Sequence, residues 1–334
     1  MLVGGFGTRL RPLTLSVPKQ ILPVGNVPMI ERVVEHLGRS GVDEVVLSLG
    51  YQPDAFLDRY PDGTCAGVSM RYAVEPEPLD TAGAIAFAAR DAGIDGRFIA
   101  VNGDVLTGLD VADLWDQHAT RGAAATIALT PVEDPSRYGV VPLDAEGRVE
   151  AFIEKPDPGT APSNWINAGT YVLDASVLDA IEPGRRVSIE REVFPALVEQ
   201  GSVYGVQSEA YWIDAGTPEA YLQVQLDLLA GRLGPVPEPI DPTAVVDPSA
   251  TVTGSFVGAG ATIGAGVVVT DSVVMAGATL ESGVRLDRSL LGQGCVIGAG
   301  SALSELTVVG DGESVPAGTV VAAGRLPGPD TWPS

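Results

Sequence analysis

The chain has 334 residues, 45% of them hydrophobic, and carries 43 acidic against 20 basic side chains for a formal net charge of −23. That length allows two domains with sizeable cores. The charge argues against nucleic acid and anionic membranes as partners, and no apolar run is long enough to span a bilayer.

The first element is a glycine turn. "VGGFGTRLRPLTLSVPKQILPVG" (3–25) sets Gly4, Gly5 and Gly7 ahead of Arg9 and Arg11 and ends with Lys19 between Pro18 and Gln20. Such a turn brings backbone N–H groups close to a ligand, and those groups favour anions. It is not a P-loop, because no Gly-Lys-Ser/Thr follows, and Leu10 stands where a dinucleotide fingerprint needs its third glycine. Only Met1-Leu2-Val3 precede the turn, where a buried strand has about five residues. Either that strand is short or the true start lies upstream.

The region 1–230 reads as α/β. "NVPMIERVVEHLGRSG" places Ile30, Val33, Val34 and Leu37 on one helical face, with Gly41 as a stop, and "EVVLSLG" follows as a buried strand. "AGAIAFAARDAG" is a second helix and "RFIAVNGD" a second strand. Further strands are expected at "AATIALTPV", "RVEAFIE" and "NAGTYVLD", and a closing helix at "GTPEAYLQVQLDLLAG", with Thr217 as N-cap and Pro218 at N1. Alternation of this kind implies a mostly parallel, Rossmann-like sheet whose ligands sit at the carboxyl ends of its strands. A proline-rich linker (231–241) then leads into a domain of hexapeptide steps (242–325) and a short tail (326–334). Val252, Val269, Leu286 and Leu303 are each 17 residues apart, so a coil has two sides of six residues and one of five. This is the signature of a parallel β-helix.

Only two of the basic residues are lysines, Lys19 and Lys155, each stiffened by a neighbouring proline. A compact ammonium suits a phosphate contact that a planar guanidinium does not fit. Cys65 and Cys295 belong to no metal or redox spacing, which fits a reducing cytoplasm.

Taken together, "GGFGTRLRPLT" with Pro18-Lys19, Asn102-Gly103-Asp104, Arg137-Tyr138-Gly139-Val140-Val141, Glu154-Lys155-Pro156, Ile166-Asn167-Ala168-Gly169 and Trp212-Ile213-Asp214 resemble the motifs of sugar-1-phosphate nucleotidyltransferases. Within that family, "GTRLRPLTLSVPK" and "SIEREVFPAL" are most similar to the mannose-1-phosphate guanylyltransferases. The resemblance spans nearly the whole first domain, and a C-terminal left-handed β-helix fits it. It implies that a nucleoside triphosphate and a sugar 1-phosphate are joined with release of pyrophosphate, most simply GTP and mannose 1-phosphate to GDP-mannose. Gly4, Gly5, Gly7, Thr8 and Asn102 would meet the nucleotide, with Glu77, Leu79 and Gly83 near the base. Arg9 and Lys19 would hold the triphosphate. Lys155 would grip the sugar phosphate, with Glu154, Gly139, Asn167 and Gly169 lining the sugar pocket. Asp104 and Asp214 would share one Mg²⁺, a hard cation that takes one or two carboxylates plus phosphate oxygens.

Departures from the family pattern are Asp80 in place of a loop glycine beside the base and Gln20 in place of a proline after Lys19. They keep open a thymidylyl- or uridylyltransferase and a non-catalytic homologue that binds nucleotide sugar. An acyltransferase role for the β-helix is disfavoured, because such chemistry needs a base and the only histidines, His36 and His118, lie in the first domain. The β-helix is expected to assemble a homo-oligomer rather than to take part in chemistry.

Overall fold

The computed structural model describes residues 1–50 and 52–332. By contacts the chain divides into two units, Met1–Gly5 with Glu31–Trp212, and Phe6–Ile30 with Ile213 onward. The segment carrying Arg9 and Lys19 therefore groups with the C-terminal part of the chain rather than with its sequence neighbours.

In the first unit one twisted sheet runs in the order Val68–Val74, Glu44–Leu49, Leu2, Arg97–Val101, Trp165–Asp174, Ala125–Pro131, Val203–Gln207. Leu2 joins its two halves by parallel bridges to Ser48 and Asn102. Among these seven segments only Trp165–Asp174 runs antiparallel, with the short strands Thr64–Cys65 and Ile153–Glu154 antiparallel at the margins, so the mostly parallel sheet expected from the α/β alternation is borne out. The Asp80–Ala92 helix packs Ala82, Ile85, Ala86 and Ala89 against Ile127, Tyr171 and Leu173, its small residues allowing close approach. One expected strand is broken up: "RVEAFIE" forms a strand only at Ile153–Glu154, while Arg148 and Val149 make single antiparallel bridges to Tyr204 and Leu143, with Val149 N–H reaching the Val203 carbonyl and Glu150 N–H the Pro142 carbonyl.

The second unit contains a parallel β-solenoid of three five-stranded sheets. Val252 pairs with Val269, Val269 with Leu286 and Leu286 with Leu303, as the 17-residue period requires. Inward aliphatics from Val257 to Val315 stack into a dry core. Ser255, Ser272 and Ser289 add a buried ladder, the hydroxyls of Ser255 and Ser272 accepting from the backbone N–H of the serine one coil on, at 2.9 and 3.0 Å. The last strand is Arg325–Leu326, and of the expected tail Pro333 and Ser334 lie outside the described residues.

One face of the solenoid is unlike the others. Four of its five strands are apolar doublets, Phe256-Val257, Val273-Val274, Leu290-Leu291 and Val308-Val309, the fifth being Arg325–Leu326. The second member points into the core, yet the outward members Phe256, Val273, Leu290 and Val308 are also no more than 3% exposed. The opening segment is tied to that face at both ends. Asn26 Nδ2 donates to the Val257 carbonyl at 3.2 Å, Ser16 Oγ donates to Asp311 Oδ2, and Pro12 lies so close to Gly310 that a Cβ there would sit 3.1 Å from Pro12 Cβ. The Pro218–Leu229 helix, capped by Thr217 Oγ1 on Ala220 N–H at 3.2 Å, holds the same segment. Its buried Gln225 accepts from Gly25 N–H at 2.9 Å and donates to the Pro23 carbonyl at 2.7 Å, and Tyr221 donates its hydroxyl proton to that carbonyl.

Candidate active site

In the first unit three residues expected to meet the nucleotide follow directly on carboxyl ends of parallel strands, Gly4 and Gly5 after Leu2-Val3 and Asn102 after Arg97–Val101, and Gly50 after Glu44–Leu49 and Glu75 after Val68–Val74 stand at the same ends. Ligands of open α/β sheets bind at these ends. Gly4 is needed for space, since a Cβ would stand 3.0 Å from Gly50 N and 3.3 Å from Glu75 Oε1. Glu75 is the organiser that sequence reading missed. Its carboxylate accepts from Ser48 Oγ at 2.9 Å and from Leu79 N–H at 3.1 Å, while Glu77, named instead, is exposed. The alternation in "VEPEPLD" gave no way to choose between the two.

The loop at 79–83 is bracketed from the other side by the "SIERE" run. Ala82 and Gly83 give their N–H groups to the Val187 carbonyl at 2.9 and 3.1 Å, and Thr81 Oγ1 donates to Glu190 Oε2 at 2.8 Å. Gly83 thus serves close packing: a Cβ there would lie 2.7 Å from the Arg185 carbonyl oxygen and 2.9 Å from Leu79 Cβ. Gly83→Ala is expected to destabilise the protein by about 1–3 kcal/mol through overpacking, read as a lower midpoint in denaturant. Asp80 stands at φ 61°, in the left-handed region where glycine is at ease and aspartate is tolerated. Asp80 therefore takes a conformation that glycine adopts readily, with its carboxylate accepting from Thr81 N–H at 2.8 Å and facing Arg186 Nε at 3.7 Å.

The residues expected to hold the sugar cluster on the antiparallel strand and its edge. Gly169, at φ 71°, makes the bulge between Asn167 and Tyr171. Asn167 Oδ1 accepts from Gly169 N–H at 2.9 Å, and its Nδ2 donates to the fully buried Tyr171 hydroxyl at 2.7 Å. Asn102 N–H donates to the Gly169 carbonyl at 2.9 Å, and a Cβ on Gly169 would lie 2.7 Å from Asn102 Nδ2. Glu154 pairs across strands with Gly139, whose missing side chain leaves room for Phe152. Lys155 Nζ reaches Glu154 Oε1 at 2.9 Å, and its backbone sits at φ 49°, a strained conformation for a side-chain-bearing residue. Trp212 is a packing residue here: its indole N–H donates to the Ala168 carbonyl at 2.9 Å and its ring meets Tyr138 edge-on. Asp104, which follows Asn102-Gly103, is 9% exposed.

In the second unit Gly7, at φ 61°, caps the short Thr8–Leu10 turn. Buried Thr14 donates its hydroxyl to the Gly7 carbonyl at 2.7 Å. A side chain on Gly7 would stand 3.1 Å from Thr14 Cγ2 and 3.3 Å from Lys19 Cβ, so the glycine turn and the lysine lie against each other. Lys19 opens the Lys19–Ile21 turn after Pro18. Arg9 Nη2 is 3.9 Å from Asp214 Oδ2, while Asp214 Oδ1 accepts from Gly216 N–H at 2.9 Å. Gly216, another residue not singled out by sequence, allows this pair: its Cβ would lie 2.7 Å from Arg9 Nη2 and 2.8 Å from Asp214 Oδ1. Thr8 and Arg9 are exposed.

Gln20, the residue that stands where the family has proline, is 1% exposed, and its carboxamide oxygen has no hydrogen-bond partner among the described residues. A buried unsatisfied acceptor is costly. Gln20→Met keeps the volume and removes that group, so it should raise stability by about 1 kcal/mol, seen as a higher Tm.

A cavity of about 510 Å³ opens elsewhere, at the amino ends of the strands, among Glu44, Val45, Arg97, Phe98 and Trp115, and none of the expected site residues lines it. Asp104 in the first unit and Asp214 in the second each offer a carboxylate, the donor type that suits a hard divalent cation. Among the described residues no cluster of three or more potential metal ligands occurs, so such an ion would take its remaining oxygens from substrate and water.

A mostly parallel α/β sheet with glycine turns at its carboxyl ends, an opening segment bearing cations and a C-terminal solenoid define a nucleotide-handling class of protein. The nucleotidyl transferase family profile matches residues 1–231, and the chain belongs to that family. A second profile, the GMPPB C-terminal domain, matches residues 236–326. Mannose-1-phosphate guanylyltransferase of Mycobacterium tuberculosis is 44% identical over 234 residues, and mannose-1-phosphate guanyltransferase of Schizosaccharomyces pombe is 45% identical over 229. These alignments take in 69% and 66% of this chain but 64% and 61% of the relatives' own lengths. Among solved structures, HddC from Yersinia pseudotuberculosis complexed with GMP-PN superposes with a TM-score of 0.58 at 30% identity, covering 67% of this chain and 96% of HddC.

Proposed function

We propose that this chain transfers a guanylyl group from GTP to mannose 1-phosphate, giving GDP-mannose and pyrophosphate. A phosphate oxygen of the sugar attacks the α-phosphorus, the bond from that phosphorus to the bridging oxygen breaks, and pyrophosphate departs with the electron pair. Joining two polyanions is mainly a matter of positioning and charge neutralisation. The observation that carries the reading is the packing of the Lys19 side chain against the Gly7 turn, an arrangement that would let an ammonium and backbone amides meet one anion. Arg9 and Lys19 hold the triphosphate and the charge developing on pyrophosphate. Gly4, Gly5, Gly7 and Thr8 present the turn, and Leu79, Gly83 and Asn102 shape the base side. Lys155 takes the sugar phosphate, with Glu154, Gly139, Asn167 and Gly169 around the sugar. Asp104 and Asp214 would hold Mg²⁺, which when bound neutralises phosphate charge. The relatives named for the mannose reaction support the choice of base and sugar.

Pyrophosphate release across GTP, dTTP, UTP, ATP and CTP with hexose 1-phosphates tests this. The expected result is highest kcat/KM for GTP with mannose 1-phosphate; no turnover with any pair would leave the reading without support, and dTTP or UTP with glucose 1-phosphate would reassign it. A cytoplasmic homo-oligomer joined through the β-helix belongs to the same proposal. No helix among the described residues is long and apolar enough to cross a membrane, both cysteines are buried free thiols, and Val245 and Val320, on the first and last coils, stand 63% and 79% exposed. Light scattering on the full chain measures the assembly.

A further inference from the structure

The solenoid does more than its expected part in assembly. The segment from Phe6 to Ile30 carries Arg9 and Lys19, and it groups by contacts with the solenoid. Between those two cations lie Pro12 and Ser16, the two residues that touch the solenoid's far coils at Gly310 and Asp311. Asp311 is itself fixed, since its Oδ1 accepts from Gln293 N–H at 2.7 Å in the adjacent coil. A turn held at Gly7 by Thr14 and at Ser16 by Asp311 has little freedom left in the stretch that delivers Lys19.

We propose that Asp311 is a positioning residue for nucleotidyl transfer: through the Ser16 hydroxyl it fixes the segment that presents Arg9 and Lys19, making the solenoid part of the catalytic apparatus. This rests on the functional reading above. Groups that act on charge developing in the transition state are sensitive to small misplacements, so the loss should appear in kcat. Ser16 is exposed and its truncation removes one hydrogen bond without opening a cavity.

The test uses the full chain. Ser16→Ala should lower kcat about three- to tenfold, the equivalent of one solvent-exposed hydrogen bond, with KM for sugar 1-phosphate and Tm near wild type. Ser16→Thr should restore kcat. Asp311→Asn should also stay near wild type, because its carbonyl still accepts from Gln293 and its amide can donate to Ser16. Asp311→Ala should match Ser16→Ala in kcat, and the double variant should be no worse than either, since both remove the same link. Hydrogen exchange should quicken at residues 8–22 of Ser16→Ala and stay unchanged in the Pro218–Leu229 helix. Wild-type kcat and exchange in Ser16→Ala would overturn the proposal, as would additive losses in the double variant or a kcat loss that only tracks a lower Tm. Absence of transfer by the wild type would instead defeat the functional reading, and the exchange arm would still decide whether Asp311 holds the segment.

Discussion

Lys19→Ala is expected to lower kcat roughly tenfold to a hundredfold, because a charge-assisted phosphate contact is worth about 1.5–3 kcal/mol and here it strengthens as pyrophosphate departs. KM for sugar 1-phosphate should change little, which separates a transition-state role from uniform binding. The fold should tolerate the change: Lys19 is half-buried on a short turn whose buried members are its neighbours Pro18, Gln20 and Leu22. Lys19→Arg should recover only part of the rate, since its planar fork reaches differently against the Gly7 turn. Steady-state kinetics at saturating Mg²⁺ measure all three variants, and a wild-type kcat in Lys19→Ala would reduce the lysine to a surface residue.

Lys155→Ala should act on the other constant, raising KM for sugar 1-phosphate about tenfold or more with a smaller effect on KM for the nucleotide, because the phosphate is gripped in ground and transition states alike. Nζ is paired with Glu154 Oε1 at 2.9 Å, and on the proposed reading a sugar phosphate would compete with that carboxylate for it, leaving Glu154 to accept from sugar hydroxyls. The pair is 59% exposed on the lysine side, and its loss should cost little stability. The backbone separates function from folding: at φ 49° alanine keeps the strain of lysine, while Lys155→Gly relieves it. Both variants should show the same rise in KM, and only the glycine variant a higher Tm.

The order of elements, the mostly parallel sheet and the 17-residue coil were legible in the sequence because each rests on a period that burial imposes. Val252, Val269, Leu286 and Leu303 face the same core for the same reason at every coil. The site was legible as residue types, since phosphate chemistry narrows the choice to lysine, arginine, aspartate and glycine. What escaped depends on contacts between stretches distant in sequence. Glu75 and Glu77 look alike until Leu79 N–H and Ser48 Oγ pick out the first. Gly216 reads as part of a helix approach until Arg9 and Asp214 close on it. The strand expected over 148–154 is interrupted because its partner changes along its length, from the Val203–Gln207 strand at Arg148 and Val149, through the Pro142 carbonyl at Glu150, to Gly139–Val140 at Ile153–Glu154. Asp80 reads as a break with the family until its left-handed φ shows a conformation that glycine adopts readily.

The apolar doublets also make the solenoid a ruler. From Val257, which receives Asn26, to Val309, next to the coil residues that meet Pro12 and Ser16, the same sheet advances by three strand spacings, or about 14 Å at the usual strand separation. Coil number in most solenoids is free to drift, because each coil contacts only its neighbours. Here one whole coil more or less would leave every internal pairing intact yet shift the far anchor by about 5 Å against a segment of fixed length. A repeat domain of this kind can vary freely in its outward polar residues on two faces, but its length is set by the segment that it measures.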